Sequence, residues 1–171
     1  MHHFQPYPID LLEINPFTKI ANDWMLVAAG NQEKVNALTA SWGGLGVLWG
    51  KNVVFIFIRQ SRYTKEFIDR EICFSCNFFD KKFKNDLKYF GIVTGRIEDK
   101  FKASKLTVEF RDGVPYVDEG NFLILCKKMA AVPITEAHFL DPEIKDKWYS
   151  GKDDGNMHTL YVGEILEVLA R

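Results

Sequence analysis

A chain of 171 residues with 47% hydrophobic and 14% aromatic side chains, including fourteen phenylalanines, can bury a bulky core as one domain without disulfides or a structural metal. A net charge of −1 excludes the broad basic field that drives nucleic-acid binding. Three cysteines, an odd number, argue against a secreted disulfide framework, and no apolar run reaches membrane-spanning length. With no basic-then-apolar segment near Met1, the expectation is a cytoplasmic protein that engages neither membrane nor nucleic acid.

In chain order, residues 1–15 read as an extension ahead of the domain body within a single domain spanning 1–171. An apolar run at 24–29 meets a turn at 30–34, and extended character resumes at 35–42, a hairpin pattern. Gly43, Gly44 and Gly46 then predict a loop rather than a regular element. Residues 53–58 are β-branched and aromatic throughout, as in a buried strand, and 65–68 open a short helix with Thr64 as its N-cap. Ile72, Phe74, Cys76 and Phe78 alternate with polar neighbours, which predicts a half-buried strand. The C-x-x-C spacing of Cys73 and Cys76 suits redox or zinc chemistry as well as strand packing, but no second pair completes a zinc site. Phe83, Leu87 and Phe90 stand at helical spacing, so 80–90 reads as a surface helix capped by Gly91. A short helix at 101–106, a hairpin around Arg111-Asp112-Gly113 and a strand at 121–126 follow. A helix at 141–149, a polar turn at 153–156 and a strand at 158–168, interrupted at Gly163, complete the chain. The sum is a mainly antiparallel sheet with helices at its ends, a mainly β or α+β domain.

Two segments carry candidate chemistry. Arg59, Ser61, Arg62, Tyr63 and Thr64 put two guanidiniums and three hydroxyls where a strand ends and a helix begins, a combination that suits a phosphate. Solvated charge at a strand end is the plainer alternative. Asn36, Ala37, Leu38, Thr39, Ala40, Ser41 and Trp42 form a small, polar segment along which a flat heterocycle could approach the backbone, or else an ordinary edge strand. Serines without a neighbouring histidine, and His2, His3, His138 and His158 without metal-ligand spacing, offer neither a catalytic nucleophile nor a metal site. His138 reads as a surface residue.

These two segments, together with residues 95–101 (GRIEDKF) and 158–165 (HTLYVGEI), resemble in that order the flavin reductase-like family, over a stretch from about Trp24 to the C-terminus. The resemblance implies an FMN-binding split β-barrel with peripheral helices, usually a homodimer with flavin at the subunit interface. It implies that Asn36 to Trp42 run beside the isoalloxazine and that Arg59, Ser61, Arg62 and Thr64, with Tyr63 between them, hold the FMN phosphate. Lys100 would add a second positive charge there, from this or the other subunit. Asn77, Phe78 and Phe79 would lie near the ring or ribityl chain, and His158 toward the nicotinamide of NADH or NADPH.

The expected function is that of an NAD(P)H-dependent flavin or small-acceptor reductase, passing hydride from nicotinamide to flavin N5, in which a flavin carries the redox chemistry and no catalytic side chain is required. The alternative is a flavoredoxin-like FMN carrier that takes electrons from a redox protein partner. A binding module for flavin or heme without turnover is a third, with heme disfavoured for want of an axial His or Met. No G-x-G-x-x-G follows a strand, so a nicotinamide would bind over the flavin rather than in a Rossmann domain. Residues 135–156 match no family motif and read as an insertion, lid or dimer arm.

Overall fold

The fold is described from a computed structural model over residues 2–171. A short β1 (Gln5–Pro6) precedes a helical turn α1 (Pro16–Thr18) that runs into a π-turn at Lys19–Asp23. Strands β2 (Met25–Gly30), β3 (Val35–Ala40), β4 (Gly43–Leu48) and β5 (Lys51–Arg59) lead to helix α2 (Tyr63–Arg70). After β6 (Cys73–Phe78) come α3 (Lys84–Ile92) and α4 (Lys100–Ser104), then β7 (Val108–Arg111), β8 (Val114–Val117) and the long β9 (Phe122–Pro133). Helix α5 (Pro142–Trp148) and β10 (His158–Ala170) close the chain. The main sheet is antiparallel in the order β3-β2-β6-β9-β10-β5-β4, with β1 added to β10, and β7-β8 forms a separate hairpin. The protein is thus α+β. Among the described residues no helix is long and apolar enough to cross a membrane.

The strands β2 and β6 are buried on both faces, which explains their composition. On β2, Met25, Val27 and Ala29 join one core with Phe67 and Ile68 of α2, while Leu26 and Ala28 join another with Leu87 and Phe90 of α3. Side chains alternate across a strand, so covering both faces calls for residues that are either apolar, as throughout β2, or hydrogen-bonded internally. The half-buried reading of β6 is corrected on this point. Phe74, Cys76 and Phe78 face the first core, but Ser75 and Asn77 are also buried. The hairpin β7-β8 covers them: the Ser75 hydroxyl donates to the Pro115 carbonyl at 2.6 Å, and Asn77 accepts from the Val117 amide at 2.9 Å. Polar residues on that face therefore mark internal hydrogen bonding, not solvent. Cys76 and Cys126 pack in the same core, whereas Cys73 lies against the third cluster, around Val114 and Leu125.

Three further expectations change. The glycine-rich 43–46 segment is not a loop but the edge strand β4, paired with β5 from Gly43↔Ile56 to Leu48↔Lys51. Its lack of side chains lets it lie on the Phe55 ring, 3.5 Å from where a Gly46 Cβ would stand. Thr64 is not an N-cap, because α2 begins at Tyr63, two residues earlier than expected, and Arg62 occupies the cap without a side-chain bond. Thr64 is instead buried and accepts from the Asn36 amide at 2.9 Å. Gly91 does not end α3; it sits in the last turn, against Thr39, and Val93 caps the helix.

Strand β10 is the spine of the sheet, paired with β9 on one side and β5 on the other. Gly163 does not break it, but its register against β9 shifts between Val162 and Gly163, where the Phe74 ring packs closest. A Cβ at Gly163 would stand 2.5 Å from Phe74 Cζ and 3.0 Å from Cys126 Cβ, both in fully buried side chains. Gly163→Ala is therefore expected to cost about 1–3 kcal/mol of stability through overpacking, read as a lowered midpoint of urea unfolding.

Candidate functional site

Four strands, β2, β6, β9 and β10, separate β3 from β5 along the sheet, yet the two meet at one cleft. Leu38, Thr39, Ala40, Ser41 and Trp42 form one wall; Phe57, Ile58 and Arg59 form the other, and Arg62, Trp148 and His158 complete it. The sheet is thus curled, and the cleft of about 220 Å³ lies in the split beside its edge. A second cavity of about 130 Å³ adjoins it through Arg62 and is lined by Asn36, Ser61, Tyr63, Thr64, Lys100 and residues 92–95. The loop at 95 must pass directly over Asn36: a Gly95 Cβ would lie 2.3 Å from its Oδ1.

The smaller cavity is electrostatically unfinished. The Arg62 guanidinium donates to the Gly91 carbonyl at 2.7 Å and to that of Phe90 at 3.2 Å. The Lys100 ammonium, only 3% exposed, donates to the Ala37 carbonyl and, at 3.4 Å, to Phe90. Neither cation has an acidic partner among the described residues. Burial, and then the Arg62 charge, push Lys100 down to about 8. Burial also lowers Arg62, with Arg59 adding repulsion. Two desolvated cations at the first turn of a helix favour an anion between them. A larger hollow of about 550 Å³ adjoins through Asn36, Gly95 and Lys100, but it matches Lys34, Arg96 and Lys100 with Glu33, Glu98 and Asp99 and so has no comparable pull.

The expected site residues divide. Leu38 to Trp42 line the cleft, whereas Asn36 turns to the smaller cavity and Ala37 is buried, its carbonyl accepting from Lys100. Ser61, Arg62, Tyr63, Thr64 and Lys100 converge, all from one chain. Arg59 does not join them. Its guanidinium donates to the Asn156 carbonyl at 2.9 Å and the Trp148 carbonyl at 3.1 Å, lies over the Tyr149 ring, and is 3.9 Å from Asp153. Residues 59 and 62 flank a turn, so their side chains leave it toward different neighbours. Asn77, Phe78 and Phe79 line neither cavity. Asn77 is consumed by bonds to Leu26, Ser75 and Val117; Phe78 packs in the core, and Phe79 lines a separate hollow beside Lys84 and Leu87. Strand alternation and the covering hairpin turn this stretch inward.

His158 stands at the cleft, 5.1 Å between ring centroids from Trp42, and its Nδ1 shares a 2.7 Å hydrogen bond with the Tyr149 hydroxyl. Burial first, and the nearby Arg59 second, push its pKa down to about 4, so the imidazole is neutral near pH 7. Trp148 and Tyr149 were visible in the sequence as an aromatic pair ending a helix, but nothing local tied them to a site. Phe57 and the 92–95 backbone carried no signal at all.

The family model described as "Flavin reductase like domain" matches residues 17–171. Among solved structures, a flavoredoxin from Methanosarcina acetivorans superposes with a TM-score of 0.66 at 20% identity, over 87% of this chain and 68% of that one. An FMN-binding domain of a flavin reductases-like enzyme from Shewanella baltica gives 0.69 at 14% identity, over 98% and 77%. The NADH:FAD oxidoreductase SgcE6 of Streptomyces globisporus gives 0.62 at 14%, over 87% and 75%. A search of curated proteins found no match.

The buried, neutral His158 generates a pH prediction. Its folded pKa lies below the ordinary 6.5, so stability is full above about 6.5 and falls as pH drops toward about 4, where the folded state resists a proton that the unfolded state takes up. The loss is expected to be on the order of 1–3 kcal/mol. Urea unfolding at stepped pH is expected to show a flatter profile in His158→Gln than in the unaltered protein over this window.

Proposed function

This chain belongs to the flavin reductase-like family, and from that premise we propose that it binds FMN and acts as an NAD(P)H-dependent reductase of flavin or a small acceptor. The observation that carries the reading is the pair of cations, half-buried Arg62 and buried Lys100, with no acid between them on a cavity built from the first turn of α2. A phosphate monoester supplies the missing charge, with Ser61 and Thr64 as neighbouring hydroxyls. The adjoining cleft gives the attached ring a place beside Leu38 to Trp42, whose small side chains expose backbone groups.

Bound FMN would supply the redox chemistry, taking up hydride from a nicotinamide at N5. The chain's own part is to bind, orient and dry the ring. Backbone groups of Thr39 to Trp42 would hold its polar edge and favour the negative charge of reduction. Trp42 and Trp148, in edge-to-face contact at 4.9 Å, would limit water. The neutral His158 keeps an additional cation away from the nicotinamide side. A homodimer in the cytoplasm belongs to the same proposal; the exposed Val47 and Trp49 at the β4 edge are suitable for burial against a second copy.

Purified protein loaded with FMN and freed of excess is expected to retain visible flavin bands that bleach under anaerobic NADH or NADPH. Bands that persist with both nucleotides would instead establish a carrier, a reading favoured by the flavoredoxin likeness. Loss of all flavin on desalting, with no turnover of added FMN, would remove the proposal.

The phosphate assignment makes a second prediction. Arg62→Ala should weaken FMN by about 1.5–3 kcal/mol and riboflavin far less, measured by fluorescence titration. Lys100 must be protonated to hold phosphate, and with its pKa at about 8, FMN affinity should fall as pH rises through that value. The phosphate is already doubly charged there. A drop of roughly tenfold between about pH 7 and 9 is expected for FMN, none for riboflavin, and none for FMN with Lys100→Met.

A further inference from the structure

Residues 134–157, between β9 and β10, form a strap over the cleft that has few means of staying there. Helix α5 buries no side chain, and Ile144 and Trp148 are 39% and 42% exposed. Its hold on the body is concentrated where it meets the turn after β5. There Arg59 donates to the carbonyls of Trp148 and Asn156, the Gln60 amide donates to Met157, and Ser61 exchanges two bonds with the Asn156 side chain. Arg59 also lies over Tyr149, itself stacked on Phe139 and bonded to His158. A cation on the last carbonyl of a helix is favourably placed, and the guanidinium fork reaches two parts of the strap at once.

The consequence is the position of Trp148. With its carbonyl held, its indole stands edge-to-face against Trp42, and the two close one side of the cleft. We propose that Arg59 is a positioning residue that latches the strap, and that the Trp148 wall so positioned selects a flat, single-ring second substrate over a broader fused-ring one. The selectivity rests on the reading of the cleft as the flavin site; the latch does not. This removes Arg59 from the phosphate set and leaves that role to Arg62 and Lys100.

The test compares Arg59→Gln, Arg62→Gln and Trp148→Ala in the full chain, each checked for native circular dichroism. Arg59→Gln should speed tryptic cleavage after Lys147 and Lys152 at least fivefold, with or without flavin, and leave the ratio of FMN to riboflavin affinity within twofold. Arg62→Gln should do the reverse. In FMN-loaded protein reduced photochemically, the second-order rate constant for reoxidation by menadione relative to that by benzoquinone should rise at least fivefold in both Arg59→Gln and Trp148→Ala. Trp148→Ala leaves Arg59 intact and tests the wall even if the arginine variant folds poorly. Unchanged cleavage in Arg59→Gln, or loss of its FMN preference, would overturn the latch; an unchanged quinone ratio in Trp148→Ala would overturn the wall. If the unaltered protein binds no flavin, the flavin reading and the substrate selection fall, while cleavage still decides the latch.

Discussion

The ring of Phe74 lying against the bare backbone of Gly163 is the contact on which the curl of the sheet rests. Strand β10 runs 13 residues and holds β9 and β5 on its two sides. A straight strand of that length would keep the two ends of the sheet apart. The register shift at Gly163, and a second between Ile165 and Glu167, bend and twist it. Because a side chain at 163 would displace a fully buried aromatic, the bend and the core packing depend on each other. The curl brings β3 and β5 to one cleft, where Ser41 and Trp42 carry the chain from the end of β3 straight into β4, the strand paired with β5.

The body of the molecule is then assembled with redundancy, and the site is not. Cores on both faces of β2 and β6 bury complete side chains, and even the polar residues there are paired. At the smaller cavity, by contrast, Arg62 and Lys100 each donate to two backbone carbonyls, which occupy part of their hydrogen-bonding capacity and leave their charge unmatched. Desolvating like charges side by side opposes folding, and the lowered Lys100 is its signature. An arrangement of this kind persists where the surrounding backbone over-determines it, and an anion placed between the two cations would offset its cost.

The strap lies at the other extreme of construction. It is joined to the body through hydrogen bonds and ring contacts around Arg59, Tyr149, Asn156 and His158, and Tyr149 and Met157 are its only buried side chains among the described residues. Polar junctions contribute less than core packing and release more readily, so segments that govern access are commonly built this way. The neutral state of His158 belongs to the same junction, because burial by Tyr149 and Trp42 and the charge of Arg59 act on one imidazole.

Local order was legible wherever periodicity and turn chemistry decide it: the β2-β3 hairpin, the apolar β5, the helix after it, and the Asp112-Gly113 turn with both residues at positive φ. The meeting of Ser61, Arg62 and Thr64 at one cavity was legible too, because a strand-to-helix turn keeps neighbouring hydroxyls and a guanidinium together, a grouping that suits a phosphate. Tertiary structure alone decided the rest. Gly43 to Leu48 became a strand because Phe55 and the β5 edge offered a partner, and Ser75 and Asn77 were buried because a distant hairpin covered them. Arg59 and Arg62, three residues apart and chemically identical, took different tasks for the same reason: what a side chain does is set by the groups its direction brings within reach. Those groups, Trp148 and Asn156 for one and Phe90 and Gly91 for the other, lie 28 to 97 residues away in the chain.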